Sequence, residues 1–271
     1  MPELPEVETT LRGIKPHIIG QRITRVIVRN ARLRWPIPAS LQTQLLKQAV
    51  QSVERRGKYL LLQLERGTCL IHLGMSGRLS VLNQRCVPQK HDHVDIYFAN
   101  HLCLRFTDPR RFGALLYTEK PVHEHRLLSH LGVEPLSASF NADYLWQSSR
   151  GKKVSIKTFI MNSKIVVGVG NIYAAESLFQ ARILPQISVS TISLERYAIL
   201  VTAIKKILKK AITKGGTTLK DFMRSDGSPG YFRISLQVYG RAGKPCLRCD
   251  APLKFLRSAQ RATVYCDHCQ F

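Results

Sequence analysis

The chain opens Met1-Pro2-Glu3-Leu4-Pro5-Glu6. Removal of Met1 would leave a secondary amine at Pro2. An α-amino group titrates near ~7.7–8.0, so an appreciable fraction, roughly 10–20% at pH 7, is unprotonated and nucleophilic. Attack of such an amine on an aldehyde-like carbon gives a cationic iminium, a strong electron sink. Glu3 beside it is a carboxylate able to shuttle protons, so the two residues form a minimal Schiff-base apparatus. Taken alone, the same hexapeptide also reads as an ordinary helix start, because acidic side chains are favoured near a helix N-terminus.

A second group with chemistry stands at the other end. Cys246-Leu-Arg-Cys249 and Cys266-Asp-His-Cys269 are two Cys-x-x-Cys pairs separated by sixteen residues. Two short loops can each bring two sulfurs to one tetrahedral ion, with the intervening segment as a hairpin. The spacing therefore predicts a structural four-thiolate zinc site. A redox Cys-x-x-Cys would come once, in a βαβ context, and His268 is a bystander between ligands. Cys69, Cys86 and Cys103 lie among apolar residues and read as reduced, inert core thiols.

Lys plus Arg is 41 and Asp plus Glu is 18, a formal charge of +23. So large an excess points to a polyanionic partner, most simply nucleic acid. No stretch approaches the roughly 20 apolar residues of a membrane span. The N-terminus, interrupted by Glu3, Glu6 and Glu8, lacks a signal-peptide core. A cytoplasmic protein is expected, nucleoid-associated if bacterial.

The elements that must position these groups change character along the chain. Val7, Leu11, Ile14 and Ile18 recur at helical spacing, with Pro16 expected to end or kink the helix. Runs with strand character follow at Ile23–Val28, Tyr59–Leu64, Cys69–Leu73, Val94–Phe98, Leu102–Phe106 and Ala114–Tyr117, an antiparallel sandwich or barrel. After about Pro135 helical periods dominate, near 141–149, 152–162, 172–180 and 193–214. Ser193 and Gly215 punctuate the last of these.

Several turns carry residues of interest. Val167-Gly168-Val169-Gly170-Asn171 lacks the third glycine of a dinucleotide fingerprint. It reads as a turn into a helix that Asn171 caps, with free N–H groups suited to a phosphate. From Arg196 to Arg224 there are eight basic residues and one acid, Asp221, with Lys206, Lys210 and Lys214 in a stripe. A solvated face and phosphate contact both fit it, and Lys220 is a separate candidate. His91 and His93 would share a strand face without a third ligand, which favours a structural or solvent role. Thr107-Asp108-Pro109-Arg110-Arg111-Phe112-Gly113 sets two cations and an aromatic on one turn, and Gly74-Met75-Ser76-Gly77 sets a methionine on another. Such side chains suit insertion into a base stack.

Together these residues resemble the formamidopyrimidine-DNA glycosylase family, bacterial 8-oxoguanine excision enzymes. The similarity runs through Pro2–Glu8, Arg56-Gly57-Lys58-Tyr59-Leu60, His72–Gly77, Thr107–Gly113, Val167–Tyr173, Gly215–Phe222 and the zinc segment with Ala259-Gln260-Arg261-Ala262-Thr263. The resemblance implies an α+β fold: an N-terminal antiparallel β-sandwich with an N-terminal helix (1–133), a helix–two-turns–helix domain with a lesion-capping loop (134–235) and a zinc hairpin (236–271). It implies Pro2 as nucleophile, Glu3 as proton shuttle and Lys58 as a basic residue near the lesion. Met75, Arg110 and Phe112 are the implied wedge, with Arg110 reading the orphaned cytosine. Asn171 and Arg261 are implied phosphate clamps, and Arg261 joins Pro2, Glu3 and Lys58 in the catalytic group. His91, Arg110, Lys157, Asn171 and Lys220 are the candidate DNA contacts. Cys246, Cys249, Cys266 and Cys269 are the zinc ligands. The segment from Gly216 to Tyr231 is the implied cap over the damaged base. The implied substrate is duplex DNA with oxidised purines or abasic sites, and the implied state a monomer. The related endonuclease VIII branch, which prefers oxidised pyrimidines, is the alternative. It usually has Gly where this chain has Leu4.

Overall fold

The computed structural model describes residues 2–216, 236–258 and 260–271. They fold as two compact units, the first running to Ser129 and taking in 214–216, the second comprising His130–Thr213 and the chain from Leu236 onward. Lys220 and all but the first residue of the expected cap lie outside the described residues. Among the described residues no helix is long and apolar enough to cross a membrane.

The first unit begins with α1, Leu4–Ile18. Its start is a reciprocal cap. The Glu3 carboxylate accepts the Glu6 N–H, and Glu6 Oε2 accepts the Glu3 N–H at 2.8 Å, which satisfies two donors that a helix start leaves open. Val7, Ile14 and Ile18 are fully buried. Pro16 lies in the last turn and the helix ends two residues later, as the lost N–H requires. After β1 (Ile23–Val28) comes the short α2 (Leu41–Leu45), then β2 (Val50–Arg56), β3 (Tyr59–Leu64), β4 (Thr68–His72), β5 (Arg78–Asn83), β6 (Asp92–Phe98), β7 (Leu102–Thr107) and β8 (Ala114–Thr118).

These strands make two four-stranded sheets in the orders β1-β6-β7-β5 and β2-β3-β4-β8, antiparallel throughout. Leu60, Leu62 and Ile71 from one sheet share a core with Val94, Ile96, Leu104 and Phe106 from the other, and α1 adds Val7, Leu11 and Ile14. The unit is therefore a sandwich with one helix against it. The expected strands are present, and β2 and β5 are additional. A buried ionic knot ties the sheet that holds β6 and β7. Arg105 Nε and Nη2 each lie 2.8 Å from the Asp95 carboxylate, and Arg29 lies 2.6 Å from it. Burial pushes the Asp95 carboxyl up, but the two guanidinium groups outweigh it and bring it down to about 2. Arg105 also donates to the carbonyls of Cys86 and Val87, which pins the segment leading to His91. Cys69 and Cys103 are buried as expected, whereas Cys86 is exposed on that segment.

The second unit holds α3 (Ala142–Ser149), α4 (Ile156–Ile160), α5 (Asn171–Gln180), α6 (Leu194–Thr213) and the hairpin β9 (Lys254–Ser258) with β10 (Arg261–Tyr265). α3 and α5 pack on α6. The helix expected over 152–162 is only five residues long. Ser155 is held in a bridge to Ser188, and the Ile156 and Lys157 N–H groups donate to the Ile187 and Pro185 carbonyls, so the chain cannot coil before Ile156.

Candidate active site and zinc hairpin

Strand register decides which turns of the first unit meet. Arg56 pairs with Tyr59, Tyr59 with His72, and His72 with Ala114. The Gly57-Lys58 turn, the His72–Gly77 turn and the Phe112-Gly113 approach to β8 therefore stand at one end of this sheet. In the other sheet Thr107 pairs with both Arg78 and Asp92, which puts Ser76, His91 and Asp108 together at a strand end as well. Gly57 has φ +57° at the first of two central turn residues, the position where a tight hairpin requires glycine.

Lys58 projects from that turn, half-buried. Its neighbours are charged and aromatic. The Tyr59 and His72 rings lie 4.8 Å apart, and the Gly74 N–H donates to His72 Nδ1 at 3.0 Å. Burial, then the charges of Lys58 and Arg34, pull the His72 pKa down to about 4. His72 is thus neutral at pH 7 with its proton on Nε2. Burial pushes the Tyr59 phenol up, while Arg34 acts the other way. Glu8 ties α1 to the same turn: its carboxylate lies 3.0 Å from Arg55 Nε, and Arg55 donates to the Gly57 carbonyl at 3.0 Å. Burial pushes the Glu8 carboxyl up, but Arg55 and Arg12 hold it below the usual range. Pro2 and Glu3 are both buried at the head of this tethered helix. Gly216, at φ +77°, passes so close that a Cβ there would sit 3.2 Å from Glu6 Oε1.

The two turns with candidate insertion residues abut. A Cβ on Gly74 would lie 2.4 Å from the Phe112 carbonyl carbon. Phe112 is 41% exposed, and the Arg110 guanidinium lies 5.1 Å from its ring centroid. Met75 is half-buried beside them. The His91 ring is 6.5 Å from that of His93, which is buried and bonded through Nε2 to the Asp108 carbonyl at 2.8 Å.

In the second unit Lys157, Asn171 and Arg261 come together around the hairpin. The buried Lys157 ammonium donates to Asn171 Oδ1 at 2.7 Å, Thr263 Oγ1 at 2.6 Å and the Ala262 carbonyl at 3.2 Å. The Asn171 amide also donates to Ala262 O at 3.1 Å. The sequence predicts Asn171 as the cap of α5, but Gly170 holds the N-cap position and Asn171 is the first helical residue. Its side chain is thereby left for Lys157 and the hairpin. Arg261 is exposed at the start of β10 and lines, with Lys157, Val154 and Met161, a cavity of about 470 Å³.

The four predicted thiolates converge, with all Sγ atoms within 4.8 Å of one another. Cys246 and Cys269 are 3.9 Å apart, Cys249 and Cys266 3.5 Å. Zinc–sulfur bonds of about 2.3 Å at tetrahedral angles place sulfurs about 3.8 Å apart, so the set fits one structural zinc ion. The knuckles rest on a small core of Phe179 from α5 with Val238, Leu253 and Val264, and Arg248 covers the Phe179 ring at 4.3 Å.

Three family models match in chain order: the formamidopyrimidine-DNA glycosylase N-terminal domain over residues 1–115, its H2TH domain over 131–223, and a zinc finger found in FPG and IleRS over 243–270. The chain belongs to the formamidopyrimidine-DNA glycosylase family. It is 56% identical over 270 residues to the formamidopyrimidine-DNA glycosylase of Acidithiobacillus ferrooxidans and 54% identical to that of Escherichia coli, with all of both chains covered in each case. Among solved glycosylases of this family, the Thermus thermophilus MutM (Fpg) protein superposes with a TM-score of 0.89 at 34% identity, covering 99% of this chain and 98% of that one. A Lactococcus lactis Fpg mutant in complex with Fapy-dG-containing DNA gives 0.92 at 31% identity, covering 99% of each.

The family motifs account for most of this site, but they give no role to His72, Tyr59 or Arg34. His72 has a signal in the sequence, since it stands just before the Gly74–Gly77 turn. Arg34 has none: it reaches the cluster from the β1–α2 connection, where its N–H bonds the Arg111 carbonyl at 2.8 Å.

Proposed function

We propose that this chain is a bifunctional DNA glycosylase and AP lyase. It excises oxidised purines, 8-oxoguanine and formamidopyrimidines, from duplex DNA and then cuts the strand by β,δ-elimination. The observation that carries this reading is the strand register that gathers Lys58, Met75, Arg110 and Phe112 at one end of the sheet, with Glu3 buried at the head of a helix tethered to the same turn. A base inside a duplex cannot be attacked in line and must be everted, at a cost of a few kcal/mol. Phe112, Met75 and Arg110 fill the vacated space and offset that cost, and Arg110 reads the orphaned cytosine. Arg261 and Asn171 hold the flanking phosphates, with Lys157 orienting the Asn171 amide. His91 and Lys220 are further DNA contacts.

The Pro2 amine, freed by removal of Met1, attacks the sugar anomeric carbon. The base leaves with the bonding pair and takes a proton delivered through Glu3. Loss of the Pro2 N–H proton and cleavage of the sugar C1′–O4′ bond, with a proton passing to O4′, then open the ring and give the iminium. It acidifies the adjacent sugar C–H bonds, and with Lys58 as a proton-transfer partner and Arg261 as a fixed cation against the phosphates, successive eliminations release both phosphates. Zinc takes no part in this chemistry, because all four positions are thiolates and none is open to water. We assign the working parts as 1–133 for catalysis, 134–235 for DNA binding and lesion capping, and 236–271 for the zinc hairpin. The protein acts as a monomer in the cytoplasm, on the nucleoid.

Borohydride trapping on a duplex with one 8-oxoguanine opposite cytosine tests this reading. A covalent adduct should form and map to Pro2. A residue left before Pro2 turns the amine into a non-nucleophilic amide and should abolish trapping while binding survives. Adduct at Lys58 or Lys157 in fully processed protein would overturn the assignment, and preference for a thymine-glycol duplex would move the chain to the pyrimidine branch.

A further inference from the structure

One buried carboxylate joins the two turns that carry the insertion residues. Asp108 is fully buried. Its Oδ1 accepts from Ser76 Oγ at 2.6 Å and its Oδ2 from the Gly113 N–H at 2.8 Å. Ser76, also buried, accepts the Arg110 N–H on the same oxygen at 3.1 Å. The Asp108 N–H donates to the His91 carbonyl at 3.0 Å. Each of these bonds ends on or beside a residue with a proposed role: Ser76 follows Met75, Gly113 follows Phe112, and Arg110 and His91 are bonded through their own backbones. The surroundings leave no slack. A Cβ on Gly113 would lie 2.5 Å from the Phe106 ring and 2.9 Å from the His72 carbonyl. Arg111, between Arg110 and Phe112, is held at φ +59°, a conformation that non-glycine residues adopt only when their surroundings impose it.

We infer that Asp108, through Ser76, is a positioning residue for base eversion. It locks the two turns into one body, so that Met75, Arg110 and Phe112 enter the duplex together rather than as three independent side chains. This rests on the wedge reading above and adds the device that makes the wedge a unit. A carboxylate is well suited to that role, because it accepts two strong hydrogen bonds at once from different segments, and buried networks of this kind rigidify when every member is satisfied.

Single-turnover rates on an 8-oxoguanine duplex and on a preformed abasic duplex test the inference, with 2-aminopurine fluorescence beside the lesion reporting insertion. Asp108→Ala and Ser76→Ala should each slow excision at least ten-fold more than abasic cleavage and delay the fluorescence change. Asp108→Asn, which keeps the shape but only one acceptor oxygen, should recover part of the loss. Coupling is the decisive readout. Ser76→Ala combined with Phe112→Ala should lose clearly less than the two single losses multiplied together, because part of what the lock positions is already gone with the Phe112 ring while Met75 and Arg110 remain. If Asp108→Ala does not fold, the Ser76 pair carries the test. Equal losses on both substrates, or fully additive losses in the double variant, would overturn the inference while leaving the wedge intact. Unimpaired excision by Phe112→Ala would remove the wedge reading and this inference with it.

Discussion

His72 shows how a single side chain takes its state from its neighbours. Burial first, then Lys58 and Arg34, depress its pKa to about 4, while in an unfolded chain it titrates near ~6.5. Between these values the unfolded chain binds a proton that the native protein refuses. Stability therefore falls as pH drops through 6.5 and goes on falling until about 4, a loss of roughly 1 kcal/mol at pH 5.5. His72→Gln keeps an oxygen able to accept the Gly74 N–H and has no proton to gain. Urea unfolding at pH 7.5 and 5.5 should show the variant losing less midpoint than the parent, and equal losses would mean that His72 is not held neutral. The same logic explains which residues are legible in the sequence. Pro2, Glu3 and the four cysteines carry their chemistry in type and spacing. The neutrality of His72 rests on burial first and then on Lys58 and on Arg34, the last thirty-eight positions away, and no local pattern announces that environment.

At the scale of elements, regular periodicity is legible and irregular pairing is not. β1 and β3 fall where their apolar runs place them, at Ile23–Val28 and Tyr59–Leu64. β2 escapes a pattern search because only Val50 and Val53 are buried along it, three residues apart rather than two. β5 escapes because only Leu79 among its residues is fully inside. α4 is shorter than its periodicity suggests because the pairing of Ser155 with Ser188 is a tertiary effect. The zinc hairpin is the most legible element, although its support is not: Phe179, Val238, Leu253 and Val264 give it a small core on α5. That core divides two outcomes. In Cys249→Ser the ion should be lost, and with it a large share of the hairpin's stability, since structural zinc contributes about 10 kcal/mol or more in isolated fingers. β9 and β10 should lose amide-exchange protection while the sandwich, with its separate core, keeps its own. Full zinc content in the purified variant would count against the four-thiolate site.

For the whole molecule the question is which cations meet DNA. If all 18 acidic residues were paired, 41 − 18 = 23 basic ones would still be unneutralised, well above the roughly 6–10 phosphate contacts a DNA-binding protein typically makes. The structure sorts some of them. Arg29 and Arg105 are committed to Asp95, and Arg12 and Arg55 to Glu8. Lys206, Lys209 and Lys210 are exposed on α6, away from the face formed by Leu200, Ile204, Leu208 and Ala211 that is buried in the second unit. Arg261 instead stands beside the Lys157–Asn171 cluster at the hairpin turn. Each phosphate that a protein neutralises adds about 0.9 to the slope of log affinity against log salt. Arg261→Ala should therefore lower that slope by about one on a lesion duplex. The double change Lys206→Gln with Lys210→Gln removes more charge and should leave the slope for a single short duplex as it was, because these side chains contribute only at a distance, where salt screens them within about 10 Å. Affinities measured between about 50 and 300 mM salt, the range over which such slopes are resolved, decide the matter. A full unit lost with the α6 pair and none with Arg261 would move the DNA track from the hairpin end of α5 to the outer face of α6, and the phosphate-clamp assignment would fall.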